Sequence, residues 1–174
     1  MYRLLMLAFF AIALNAQNLD FSDGKILAHT EVFGDSNINP FSQNISSHLR
    51  MDDKIDTIKG EVELNTITLH SENSDRDEHM YEVLHTKNFP KINYLISEVR
   101  KVDDGYEING ILTLNGIKKI VSSKATIIDE NNHIIFDGKF SINLTSFNLE
   151  PPTMFFLTVR DQIDITYHLD YIKG

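Results

Sequence analysis

The chain has no cysteine and no tryptophan, and only four prolines and eight glycines among its 174 residues. Lacking cysteine, it has no disulfide framework and no thiol that could take a lipid anchor after export. An oxidising compartment is compatible with such a chain, which makes no use of it. Lysine and arginine are interspersed with acids and form no cluster in the sequence, and the formal charge is −9. Nucleic acids and anionic membranes both require a positive patch, so this balance argues against either partner. Past the N-terminal segment, no apolar run approaches the roughly 20 residues of a membrane-spanning helix, and stable insertion is not expected. The Gly-x-Ser-x-Gly elbow, the phosphate loop and His-Glu-x-x-His are all missing.

What is present begins with a targeting pattern. Arg3 precedes an apolar core from Leu4 to Leu14, and Leu14-Asn15-Ala16 places a small residue ahead of Gln17. The pattern predicts a cleavable signal peptide over residues 1–16 and a periplasmic or secreted protein; an N-terminal membrane anchor is the alternative. Losing Arg3 with that segment takes the charge from −9 to −10. Residues 17–174 form a stretch of single-domain length, enough for one core.

Alternation dominates that stretch. Val62 and Leu64 share a face of a strand over Ile58–Leu69, and beyond Asn65 the apolar phase moves to Ile67 and Leu69, as at a β-bulge. Ile92–Val99 is extended. Tyr106, Ile108, Leu112 and Leu114 then fall on one face together with Gly110, a glycine that marks close backbone approach. Asn115-Gly116 is a hairpin turn into a partner strand over Ile117–Ile128. Ile134, Phe136, Phe140, Ile142 and Leu144 alternate through Gly138 in one long strand. Pro151 and Pro152 break the sheet, and Phe155-Phe156-Leu157 reads as a plug or edge. The last strand, Asp161–Tyr171, carries Ile163, Ile165, Tyr167, Leu169 and Tyr171 on one face. Upstream the pattern is weaker: a strand over Lys25–Phe33, a turn at Gly34–Asn37, and alternation over Ile45–Met51. Asp52 and Asp53 read as solvated turn residues and not as a metal site.

Only the run from Asn73 to Pro90 has helical spacing, with Met80, Val83 and Leu84 on one face bordered by Tyr81 and His85. Asp75 fits the N-cap, with Glu78 returning the hydrogen bond, and Asp77 adds negative charge to the first turn. Phe89 before Pro90 marks the end. A mainly all-β chain of about eight antiparallel strands with one short helix suits a closed barrel, with a two-sheet sandwich as the alternative.

Three motifs in order carry a resemblance: Arg76-Asp77-x-His79, then Asn88-Phe89-Pro90-x-Ile92-x-Tyr94, then Gly110-x-Leu112-Thr113-Leu114-Asn115-Gly116-x-Lys118-Lys119. From about Lys59 onwards the chain resembles the YceI-like family, small periplasmic or secreted proteins with a lipocalin-like β-barrel associated with polyisoprenoid binding. Two departures stand out. Where that family often has Asn-Arg before a turn, this chain has Asn143-Leu144, and Gly24–Arg50 matches the usual opening strands poorly. The Gly-x-Trp signature of true lipocalins is absent.

The resemblance implies a binding protein holding an elongated apolar ligand, a polyisoprenoid or an isoprenoid quinone, for storage or transport, and no enzyme. Ile108, Leu112 and Leu114, then Ile134, Phe136, Phe140 and Ile142, and finally Ile165 and Tyr167 would line the interior. Tyr94, Tyr167 and Tyr171 join an apolar ring to a polar tip that could meet a ligand head. Arg76, Asp77, His79, Phe89, Pro90, Gly110 and Gly116 are expected to hold structure; the alternative is a hydrolase using Asp77 and His79. No metal or cofactor is expected, since His79 and His85 fall on different sides of the helix. A barrel filled by its own side chains, serving a structural or stress-related role, stays open, as does a homodimer.

Overall fold

The computed structural model describes residues 16–32, 35–154 and 157–174. The signal-peptide reading of residues 1–16 therefore lies almost wholly outside the described residues, as do Phe33, Gly34, Phe155 and Phe156. Eight long strands make the barrel: β1 (Gln17–Val32), β4 (Ile45–Met51), β5 (Lys59–Asn65), β6 (Lys91–Val102), β7 (Gly105–Leu114), β8 (Ile117–Glu130), β9 (His133–Asn143) and β12 (Gln162–Lys173). Short strands β2 (Asp35–Ile38) and β3 (Phe41–Ser42) pair with the second half of β1, and β10 (Thr153–Met154) pairs with β11 (Leu157–Thr158). All of the pairings are antiparallel, and β12 closes the barrel on β1 from Leu19↔Lys173 to His29↔Asp164. Closure leaves no open sheet edge for another chain along that junction.

Two-residue turns set the register. Asn115 and Gly116 both have positive φ, at 51° and 71°, and lock Leu114 opposite Ile117. Asn131 and Asn132 do the same between β8 and β9. β9 runs unbroken through Gly138 as one long strand.

Three expectations change. The first strand begins at Gln17 and not at Lys25, with a register shift between Phe21 and Asp23 that reverses the alternation and hid its first half. The phase change after Asn65 is a 3-10 turn over Thr66–Thr68 instead of a bulge; the Asn65 side chain accepts from Ile67 N, and Thr66 N donates to Pro90 O at 2.8 Å. Helix α1 (Ser74–Val83) starts one turn-corner early: Asn73 is the N-cap, accepting from Arg76 N at 2.9 Å, while Asp75 and Glu78 are exposed.

The interior divides along the barrel axis. At one end Leu19, Met51, Ile58, Ile127, Ile134 and Tyr171 belong to a closed core, capped by the 3-10 turn Ile55–Thr57. At the other end Leu64, Leu69, Leu84, Leu114, Leu144 and Phe147 form a second cluster, over which α1 lies.

Candidate functional site

Between the helix and the closed core lies a cavity of about 730 Å³. Such a volume falls in the range of small-ligand pockets. Its upper wall includes Met80 and Val83 of α1 and the C-cap Leu84, so the apolar face that gave the helix its spacing is the roof. Tyr94, Ile108, Leu112, Leu114, Phe136, Phe140, Ile142, Ile165 and Tyr167 all line it. Ile134 does not: with no exposed surface it packs in the closed core, because alternation gives a side chain's face and says nothing of its depth. Tyr171 stands with it, donating or accepting at Ser47 Oγ 2.9 Å away.

Two glycines shape the cavity floor. A Cβ on Gly110 would lie 2.6 Å from the Tyr94 ring, and one on Gly138 would lie 2.2 Å from the Tyr167 ring. Each tyrosine thus lies down on a bare stretch of neighbouring strand instead of standing into the lumen. Its hydroxyl is thereby brought to the backbone. Tyr94 Oη donates towards Ile108 O at 3.0 Å and Val121 O at 2.8 Å. Tyr167 Oη shares a 2.8 Å hydrogen bond with Ser123 Oγ, which reaches Lys139 O at 3.2 Å. Burial pushes the Tyr167 hydroxyl up to about 12 against the opposing pull of Ser123, and burial likewise raises Tyr94, with Tyr167 adding to it. Both are neutral at any ordinary pH, and Phe140 sits between them, with ring centroids 6.1 Å from Tyr94 and 6.4 Å from Tyr167. The floor is therefore aromatic and uncharged.

Most of the charged residues along the cavity, Asp75, Arg76, Asp77 and His79, come from the start of the helix, and Glu63 of β5 is paired with Lys91 at 2.7 Å. The side chains of Arg76, Asp77 and His79 diverge. Asp77 is buried and turns back to the chain before the helix, accepting from Ser71 N at 2.9 Å and Ser71 Oγ at 2.7 Å. Arg76 pairs with Asp35 at 2.9 Å, tying the helix to β2. His79 lies 3.7 Å from Glu82 on the exposed side of its own helix. No nucleophile–base pair forms among them, and their contacts are those of a fastened lid. Phe89 packs on Gly116 at the β7–β8 turn, where a Cβ would lie 2.6 Å from the ring. The buried side chain of Asn115 then joins three segments: its Oδ1 lies 3.0 Å from His85 Nδ1, and its Nδ2 donates to Phe147 O at 2.9 Å. Sequence reasoning treated Asn115 only as a turn residue. Leu144, in the place where an arginine was looked for, is buried and makes apolar wall.

The family model described as YceI-like domain matches residues 14–171. The chain belongs to the YceI-like family. The match includes Gly24–Arg50, so the opening strands conform to the family in spite of their weak motifs. Among curated relatives, a UPF0312 protein of Pectobacterium atrosepticum is 32% identical over 99 residues, 52% of this chain and 52% of that protein. The chain thus spans about half the length of the curated relatives it matches. In fold, this YceI-like chain is similar to BcnA of Burkholderia cenocepacia, with a TM-score of 0.75, 17% identity, and 84% of this chain and 95% of that one covered. It is also similar to a polyisoprenoid binding domain from Saccharophagus degradans, with a TM-score of 0.62, 9% identity, and 91% and 98% covered. At these identities the likeness is one of fold: a closed antiparallel barrel of eight long strands with one helix.

Proposed function

We propose that this protein is an exported lipid-binding protein whose cavity holds one elongated apolar chain, a polyisoprenoid or an isoprenoid quinone, for storage or transport. The observation that carries this reading is the cavity of about 730 Å³, with an aromatic, uncharged floor and most of its charged residues at the start of the helix. Membership of the YceI-like family and the fold shared with a polyisoprenoid binding domain support the isoprenoid class. Energetics are adequate without a charged clamp. Burying a dozen carbons at about 0.8 kcal/mol each gives roughly 10 kcal/mol gross, and association costs of several kcal/mol leave an affinity of order micromolar. The fastened, diverging contacts of Arg76, Asp77 and His79 support binding over hydrolysis.

Export belongs to the same proposal and is supported by the targeting pattern and by β1 starting at Gln17, directly after Ala16. N-terminal sequencing of the native protein should begin at Gln17; a soluble product that keeps Met1 refutes this part. The ligand is tested by native mass spectrometry and organic extraction of the purified protein, with uptake of added isoprenoid measured alongside. Phe140→Asp places a carboxylate between two partly buried, neutral tyrosines and should abolish uptake, since an unpaired charge in apolar surroundings is costly. Thr166→Asp, on the exposed outer face of β12, should leave it unchanged. A protein that carries no lipid, takes none up, and behaves alike in both variants is a filled structural barrel.

A further inference from the structure

The ladder between β8 and β9 is incomplete. It runs from Glu130↔His133 to Lys124↔Lys139 and stops. Beyond that point β8 continues on β7 as far as Ile117, and β9 continues on β12 as far as Asn143. A break in the barrel wall is left between them. Phe140 and Ile142, both cavity residues, stand on its β9 side.

The outer surface on the β8 side of the break combines two features. The first is an apolar row across three strands, Leu95↔Ile111↔Ile120, that ends at the break. Ile120 is 85% exposed, and Phe89, 38% exposed, lies by the turn at the head of β8. The second is positive charge. Lys118 shares the outer face with Ile120, Lys119, of the other parity and opposite Leu112, borders the break, and Lys124 and Lys139 face each other at its foot; all four are exposed. Lysine ion pairs fall elsewhere, Lys91 with Glu63 and Lys173 with Asp129. Of the nearby carboxylates, Glu107 pairs with Arg100 at 2.6 Å and also faces Lys124, Asp137 bonds His168 at 2.7 Å, and Asp164 pairs with Arg160 at 2.6 Å, so Lys118, Lys119 and Lys139 keep no ion pair of their own among the described residues. Spread along the sequence these lysines form no cluster; the fold gathers them, on a chain whose overall charge is −9.

We propose that this face, with Ile120 at its centre and Lys118, Lys119, Lys124 and Lys139 around it, docks on an anionic lipid surface. An exposed apolar side chain ringed by lysines has the chemistry of a peripheral membrane contact: the chain enters the acyl boundary while the ammonium groups meet anionic head groups. Docked this way, the break between β8 and β9 faces the lipid. Alternation turns the backbone groups of Lys118, Ile120 and Ser122 to the break, an edge that a second copy's strand could also pair with. Such pairing would bring two sets of lysines together, and like charges in register oppose it.

The test is co-sedimentation of the purified protein with vesicles of phosphatidylethanolamine and phosphatidylglycerol, against vesicles of phosphatidylcholine alone. Binding should favour the anionic vesicles and weaken as salt shortens the screening length. Lys118→Glu/Lys119→Glu should reduce it at least about twenty-five-fold, at a factor of about five per lysine lost, and Ile120→Glu should also reduce it. Lys54→Glu/Lys59→Glu, in and after the β4–β5 turn, should not. Equal binding to both vesicle types, or indifference to the Lys118/Lys119 pair, overturns the proposal. A concentration-dependent dimer that Ile120→Glu dissolves, in protein that ignores vesicles, assigns the face to a second copy instead. Isoprenoid uptake, measured on the same variants, should stay intact; its absence from the wild type counts against the cavity reading and leaves the docking result to stand on its own.

Discussion

At the closed end of the barrel Tyr171 meets Phe136 edge to face at 5.5 Å and Phe21 at 5.7 Å, and no part of it reaches solvent. At the helix end Tyr94, Phe140 and Tyr167 keep longer spacings of 6.1 and 6.4 Å around a cavity. Both ends draw on inward-facing positions of the same strands, with the same residue types. What separates them is where the aromatic rings can stand. Tyr167 faces Gly138, and Tyr94, paired with Leu112, leans diagonally over Gly110, so both rings lie down on bare backbone. Tyr171 pairs with Ile134, whose side chain keeps it upright in the lumen. Two missing side chains turn half of a solid core into a hollow one.

The largest way to test that contrast is Tyr171→Ala. It should cost about 3–5 kcal/mol, as for other large aromatic truncations, read by urea denaturation, while ligand capacity per folded molecule stays the same. A smaller effect comes from adding volume at each end. Ala125→Leu, in the closed core, should cost about 1–3 kcal/mol through overpacking, whereas Ile142→Phe, against the cavity, should change stability by less than about 1 kcal/mol and reduce lipid uptake. If both substitutions cost the same, the upper half is as full as the lower. Asp77→Ala removes the acceptor for Ser71 at the lid and should cost about 1–2 kcal/mol without loss of uptake in the folded protein; full stability with no uptake would make Asp77 part of the binding machinery. The smallest effect is alkaline. Tyr167 rises from 10 to about 12 on folding, so the folded state holds its proton longer. Its contribution is complete below pH 10 and is lost as pH rises through about 12. Tyr167→Phe should lessen the fall of the denaturation midpoint in that window.

Much of this barrel was legible from alternation and turn chemistry. Asn115-Gly116 gave its hairpin because both positions need positive φ, and Gly110 was readable as a close approach, though not what approaches it. Depth was not legible. Ile134 and Phe140 share a face of one strand, yet one is sealed in the closed core and the other stands in the cavity wall; a period of two carries no coordinate along the barrel axis. The N-terminal half of β1 was lost because the shift at Phe21–Asp23 breaks the parity on which pattern reading depends. The helix cap was misplaced by two residues since Asn73 and Asp75 are both good caps, and Asp77 decides between them by reaching Ser71. The lysines at the broken β8–β9 ladder are neighbours only across strands, which no window along the chain can reveal.

The junction of β1 with β12 has a bearing on how the chain comes to be folded. Gln17 and Gly174 are joined directly, Gln17 Nε2 to Gly174 O at 2.8 Å, and Gly174 N returns to Asn18 O at 3.0 Å. The longest ladder of the first strand is therefore with the last. Loops of that length close slowly, and topologies dominated by such pairings fold on the slow side. Until β12 has been made and docked, β1 has no partner along most of its length, and neither half of the interior can be sealed.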